Sequence, residues 1–565
     1  MTDMRRTLLW VVFTMSLFLL WDGWNKHNGK PSFFSPSPVH QPASAAGAAP
    51  GNGLPAPVAG GQPSAVPGAA ASAPVAAQTV TVASDVVKAT FDSRGGDLVR
   101  LELLTQKQQD DKNRNIVLFE RGNERVYLAQ TGLIGNTGAL PNHLTVMNLL
   151  PGETTLKPGS DALSVVFESP EVGGVRLRKT YTLKRGDYVI GVTHEIINTG
   201  TAPVQPQLYL QLVRDGQPPE GQPQSSSFFS GPAAFTGPAM YTQAAHFQKF
   251  KFADIVDAAD RNKPEHERSA SDGWVAMVQH YFASAWMLAD GVQRDYQLAR
   301  LDASVNGVPS YRIAMLTPVG EIAPGASKKI EARLFAGPQE EQKLAALAPG
   351  LELVKDYGWF KILAEPLFWL LTQLHKLIGN WGWAIVALVV VLKAAFFWLN
   401  ASAYRSMAKM KAINPKIQEL RERLKDKPQQ MQQEMMRIYR EEKVNPIGGC
   451  LPILIQMPFF LALYWVLLSS VEMRNAPWIG WVTDLSVKDP LYILPAVMTA
   501  SQLLQTWLNP TPPDPVQAKM MWIMPLVFSV MFFYFPAGLV LYWVTNNLLS
   551  IAQQWVINKK LGVAK

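Results

Sequence analysis

One ionisable side chain in this sequence stands where water should be scarce. Lys393 lies in WGWAIVALVVVLKAAFFWL, a run that carries no other charge. A lysine at mid-bilayer costs about 2.5–3.5 kcal/mol on insertion scales, so some feature of the fold must offset it. A carboxylate would do so, but the apolar segments 379–400, 449–470, 490–508, 519–535 and 538–557 contain no Asp or Glu. The expectation is a hydrated cavity around the ammonium. The rival reading is snorkelling: Lys393 lies roughly 10 Å of helical rise from the end of its segment, and its stem spans part of that distance. Gln456, Ser501, Gln502, Gln505, Ser529, Thr545, Asn546, Asn547 and Ser550 are candidates to line a shared polar interior. Each taken alone also fits an interhelical hydrogen bond.

Other chemistries leave no signature. Seven of the eight histidines precede residue 281, and none stands in HExxH or another metal-ligand spacing. His194 and His280 read as structural. No GxSxG, Walker or Rossmann glycine pattern occurs, so no catalytic group, metal or cofactor is expected and no nucleotide is consumed. The single cysteine, Cys450, cannot form an internal disulfide and reads as a small packing residue.

The elements that must position Lys393 follow from the composition. The chain has 565 residues and a formal net charge of +8. It is mostly polar before about residue 350 and intensely apolar after about 360, the mark of a soluble domain joined to a membrane domain. At the N-terminus Arg5 and Arg6 precede an apolar run from Leu8 to Trp21. Residues 1–24 read as an uncleaved transmembrane anchor, a cleaved signal peptide being the rival. The two arginines would keep its N-terminus in the cytoplasm. Residues 25–77, rich in Pro, Ala and Gly, read as a disordered linker. Residues 78–340 alternate in strand-like runs (TVTVAS, DLVRLELL, LYLQLV, YRIAMLTPV). The pair inside VRLRKTYTLKRGDYVIGVTHEII reads as a hairpin turned at Arg185-Gly186-Asp187. A large periplasmic β-sandwich is expected there.

Residues 353–377 read as an interfacial amphipathic helix, with Trp359, Phe360, Leu363, Leu367, Leu370, Leu371 and Leu374 on one broad face. A break or bend is expected near Pro366. The five apolar segments then form a bundle of core spans over 379–560. In the 401–448 loop basic residues outnumber acidic ones, which places it in the cytoplasm. An N-terminus inside and six spans bring the C-terminus, with Lys559, Lys560 and Lys565, to the same side. Within that loop Met407, Met410, Ile413, Ile417, Leu420 and Leu424, and then Met431, Met435 and Ile438, recur at helical spacing. They predict a two-helix hairpin turned at Asp426-Lys427-Pro428. It reads as a docking surface for a ribosome, targeting factor or substrate, or as a solvated hairpin without a partner. Its basic charge is a topology signal and does not point to nucleic-acid recognition.

Three stretches carry a family resemblance: SMAKMKAINPKIQELRERL, EEKVNPIGGCLPILIQMPFFLALYWVL and FPAGLVLYWVTNNLLSIAQQ. They resemble the Gram-negative type of the YidC/Oxa/Alb family of membrane protein insertases, closely over about 350–560 and in the family's order. The resemblance implies a multidomain, multi-pass protein of the bacterial inner membrane: an α-helical bundle of one anchor and five core spans, with a periplasmic β-supersandwich over 78–340. It implies that nascent inner-membrane proteins are moved into the lipid bilayer, alone or with the Sec translocon and its accessory subunits. In the family a positive residue of the first core span, usually Arg, sits in a hydrophilic groove open to cytoplasm and lipid. Here that residue is Lys393, which keeps the charge but not the planar five-donor fork. The family's aromatic positions near the last hairpin correspond to Tyr534 and Trp543.

The groove expected from these readings holds Lys393, Gln456, Gln502, Tyr534, Trp543 and Asn546. Met457, Leu461, Phe528 and Phe532 would form an apolar slide along which the substrate helix reaches lipid, driven by burial of its own apolar surface. A secondary transporter or channel is the alternative, and would be expected to show paired intramembrane charges or inverted repeats. A membrane-anchored periplasmic binding protein or chaperone would instead carry its activity in 78–340.

Overall fold

A computed structural model describes residues 78–109, 111–135, 138–219, 235–255, 268–424, 427–442, 451–509 and 515–560. The expected anchor and linker, Asp426 and Cys450 lie outside the described residues. The chain divides into two compact units between Lys355 and Asp356.

The first unit is a sandwich of two nine-stranded antiparallel sheets. Edge to edge, one sheet runs Thr79–Ala83, Val87–Asp92, Asp97–Lys107, Asn115–Arg121, Val126–Ile134, Gln207–Asp215, Val308–Pro318, Arg294–Val305 and Ser269–Ala270. The other runs His246–Lys249, Gly237–Thr242, Trp274–Val278, Phe282–Leu288, Ser327–Pro338, Val189–Asn198, Val175–Lys184, Ala162–Glu168 and Asn148–Leu149. Strict alternation makes these strands. In Val175–Lys184 every second side chain is buried, beginning at Val175. That strand pairs with Val189–Asn198 across the turn at Arg185-Gly186-Asp187, where Gly186 takes φ +69°. Glycine adopts that left-handed conformation without a Cβ clash.

The same alternation turns Lys179 inward. It is fully buried, and its ammonium donates to the Gly95 carbonyl at 2.6 Å, the Thr131 carbonyl at 2.8 Å and Asp97 Oδ1 at 3.3 Å. All three of its protons are used. His194 Nε2 bonds Thr131 Oγ1 at 2.9 Å, so the network joins the two sheets. Burial pushes the Asp97 carboxyl up and the Lys179 amine down, each opposed by the attraction between them.

His194 and His143 are buried too, and burial together with the Lys179 charge holds each near a pKa of about 3. The unfolded chain takes up a proton on each near pH 6.5, whereas the fold resists until about 3. The stability they confer is therefore full above pH 6.5 and is lost as pH falls toward 3. The expected slope is about 1.4 kcal/mol per pH unit for each histidine. Urea unfolding of this unit at pH 7 and pH 5 measures it, and His143→Gln/His194→Gln should flatten the dependence.

The second unit is helical. Lys361–Ile378, Trp381–Ala395, Phe397–Arg423, Pro428–Glu441, Leu451–Ser469, Ile493–Leu508, Pro515–Phe532 and Ala537–Lys560 are its α-helices among the described residues. Its core joins Leu367 and Leu371, Ile385 and Leu388, Leu463 and Val466, and Val540 and Leu541 from four of these helices. The segment between Ser469 and Ile493 packs Met473, Ala476, Val482 and Leu485 into the same core. Gly382 lies so close to Trp478 that an added Cβ would stand 2.2 Å from the indole.

Two expectations need correction. Lys361–Ile378 runs through Pro366 as one helix. The proline falls in its second turn and costs only the bond to the Ile362 carbonyl. That helix buries Ala364, Leu367, Phe368 and Leu371 while leaving Ile362 86% exposed, so it is apolar on more than one face. The first core span is not one straight helix: Trp381–Ala395 and Phe397–Arg423 meet at Phe396 with a bend of 69°. The break sets the Phe396 ring edge-on to Phe459, centroids 5.0 Å apart. Among the described residues no single helix is long and apolar enough to cross a membrane; Trp381–Ala395 and Phe397–Met410 reach that criterion only together, by length and composition.

Beyond the bend Phe397–Arg423 lies against Pro428–Glu441. Ile413 and Ile417 are buried beside Met410, Met435, Ile438 and Tyr439, and Lys416 pairs with Glu442 at 2.7 Å. This is the two-helix arrangement that the methionine and isoleucine spacing predicts.

Candidate functional site: a cationic cleft in the helical unit

Lys393 falls in the last turn of Trp381–Ala395 because the helix stops at the Phe396 bend. A helix C-terminus carries partial negative charge on its unpaired carbonyls, which favours a cation there. The bend therefore offsets part of the cost of placing the ammonium among apolar helices. The Lys393 Nζ donates to Ser550 Oγ at 2.7 Å. Among the described residues no carboxylate pairs with it.

Ser550 belongs to Ala537–Lys560, which presents Tyr542, Asn546 and Ser550 at intervals of four along one stripe. Gln456 Nε2, from Leu451–Ser469, donates to Asn546 Oδ1 at 2.5 Å. Lys393, Asn400, Gln456, Tyr542 and Asn546 face one open cleft. Its other walls are apolar, among them Val389, Leu392 and Phe396. The cleft thus offers a cation, amide donors and acceptors and a phenol beside hydrocarbon. Such a surface can solvate a polar or acidic chain segment part-way into a membrane, and it contains no paired nucleophile and base.

The structure gathers Lys393, Gln456 and Asn546 and separates the remaining groove candidates. Gln502 accepts from Asn547 Nδ2 at 2.8 Å, on a different stripe of the Ala537–Lys560 helix, and does not line the cleft. Its amide is used in helix–helix packing. Trp543 packs edge-on against Phe460 at 4.4 Å and tilted against Phe532 at 4.9 Å, half-buried against the apolar core. Tyr534 lies in the turn after Pro515–Phe532 and is 59% exposed. Of the slide residues, Met457 and Phe528 are exposed and Leu461 is half-buried. Phe532 is 2% exposed, because Trp543 and Phe535 close over it, so it belongs to the core and not to an outer wall.

Two cleft residues escaped the sequence reading. Tyr542 could have been found from its place one turn before Asn546. Asn400 could have been found as the polar residue two turns after Lys393. The Lys179–Asp97 pair was also missed, although the strand alternation alone points Lys179 inward.

The comparisons follow the same division of the chain. A family described as YidC periplasmic domain matches residues 79–370, and one described as 60Kd inner membrane protein matches 373–563. The membrane protein insertase YidC of Cupriavidus metallidurans is 54% identical over 569 residues, covering 100% of this chain and 99% of that protein. The protein of the same name from Ralstonia nicotianae is 53% identical, with the same coverage. Among solved structures, an active YidC insertase with its first transmembrane domain resolved superposes with a TM-score of 0.39 at 19% identity. That alignment covers 84% of this chain and 91% of the solved one.

Proposed function

Because this chain belongs to the YidC family of membrane protein insertases, we propose that the cleft around Lys393 is where it receives the hydrophilic part of a substrate on its way into the bilayer. The protein is an inner-membrane insertase with a periplasmic β-sandwich domain. In the proposed route, the polar tail of a nascent membrane protein enters the cleft from the cytoplasmic side. There Asn400, Gln456, Tyr542 and Asn546 replace part of its hydration, lowering its desolvation cost. Lys393 attracts acidic residues of the tail transiently. The substrate's apolar helix then leaves along the exposed Met457 and Phe528 side chains into lipid, driven by burial of its own surface.

The observation that carries this reading is a cation with a hydroxyl acceptor and, among the described residues, no carboxylate partner, opening onto a cleft between apolar helices. A paired charge would be spent within the protein, whereas this one remains available to a ligand. The methionine-lined pair Phe397–Arg423 and Pro428–Glu441 is proposed to contact a ribosome or targeting factor on the cytoplasmic side. Cooperation with the Sec translocon, cytoplasmic termini and six membrane crossings belong to the same proposal.

Photo-crosslinking to a stalled nascent chain tests the route. Probes at Asn400, Gln456, Met457 and Phe528 should capture the chain, and a probe at the core residue Val540 should not. Capture from Val540 with none from the cleft positions would sink the proposal.

A further inference from the structure

The Lys393 ammonium has its position set by a second residue. Ser550 is buried, and its hydroxyl has one proton and two lone pairs to place. The proton goes to the Asn546 carbonyl one turn earlier, at 2.7 Å. That leaves both lone pairs for donors. Lys393 Nζ takes one at 2.7 Å. One small side chain thus ties the helix that carries Lys393 to the helix Ala537–Lys560. With its proton committed to the backbone, Ser550 meets the ammonium only as an acceptor.

Lysine is a flexible point charge on a four-carbon stem. Nothing in its own helix holds it inward, and the last turn of Trp381–Ala395 is where snorkelling toward an interface is shortest. We propose that Ser550 is the positioning residue for Lys393: it anchors the ammonium at the cleft wall, and an incoming substrate carboxylate takes over from its hydroxyl as the acceptor. The exchange replaces a neutral acceptor by a charged one, which forms the stronger hydrogen bond. Ser550 therefore holds the charge in place without competing effectively for it. The inference rests on the proposed role of the Lys393 cleft and adds the device that keeps the charge there.

The test compares two substrates, alike except that one has an acidic and the other a neutral translocated tail, inserted by the full-length protein in proteoliposomes. Ser550→Ala should slow insertion of the acidic-tail substrate about tenfold, matching the loss in Lys393→Ala, and change the neutral-tail rate less than twofold. Ser550→Thr, which keeps the hydroxyl, should restore the acidic-tail rate, while Ser550→Val, of the same size as threonine, should not. If the alanine variant does not accumulate, the near-isosteric Ser550→Cys, a weak acceptor, takes its place. An equal loss for both substrates would reduce Ser550 to a packing residue and overturn the proposal. An acidic-tail rate unaffected by Ser550→Ala while Lys393→Ala still slows it would overturn the positioning role alone. An acidic-tail rate unaffected by Lys393→Ala would overturn the reading of the cleft beneath it.

Discussion

Replacing Lys179 by methionine is expected to destabilise the periplasmic domain by about 3–5 kcal/mol. The side chain is fully buried, and its three donors satisfy the Gly95 and Thr131 carbonyls and the Asp97 carboxylate. Methionine fills similar space but leaves an uncompensated carboxylate between two sheets. Burial already pushes Asp97 up, so without Lys179 it should enter the fold protonated. The single variant should consequently lose least stability at low pH, where that proton is available without cost. Adding Asp97→Asn should recover much of the loss, since a neutral amide needs no counter-charge. Urea unfolding of the single and double variants supplies the coupling energy. Independent, additive effects would show that the two side chains do not act as a pair.

The second large effect is expected at Lys393. Lys393→Glu should reverse the electrostatic preference of the cleft: acidic-tail substrates should insert at least tenfold more slowly, and basic-tail ones no more slowly than before. Two like charges about 4 Å apart at an effective dielectric near 20 repel by roughly 4 kcal/mol, ample for a tenfold change even after screening by water in an open cleft. Lys393→Arg should retain most activity, because the acceptor here is a single hydroxyl and not a planar carboxylate. Insertion rates for acidic-tail and basic-tail substrates in proteoliposomes decide the matter. Equal losses on both would mean that the residue serves the bundle and not the passenger.

The sequence carried the sandwich well, for a physical reason. Where one strand face is buried, a period of two is enforced residue by residue, and Val175–Lys184 shows it along its whole length. Its hairpin partner was legible because the turn lies between them. Asp97 was not legible as the partner of Lys179, since 82 residues separate them and only sheet stacking brings them together.

In the helical unit, residue types were legible and rotations were not. Gln456 and Gln502 look alike in sequence, yet one meets Asn546 at the cleft and the other meets Asn547 on another stripe of the same helix. Phe528 and Phe532 share a helical face by spacing, but the second lies beneath Trp543 while the first is 50% exposed. The bend at Phe396 falls in AAFFWLN, which has neither glycine nor proline, so nothing local announces it. Pro366 gave the opposite case, a residue that signals a break placed where a helix tolerates it.

Insertion by this route requires water to reach the cleft from the cytoplasmic side. In a Cys450→Ser background, Gln456→Cys tests the cleft and Val391→Cys tests an exposed apolar face of the Lys393 helix. Both are treated in inverted membrane vesicles with a charged, membrane-impermeant maleimide, which needs a hydrated thiolate to react. Rapid labelling is expected at 456, and at 391 labelling only by a lipid-soluble reagent. A thiol at 456 as unreactive toward the charged reagent as the one at 391 would contradict that route.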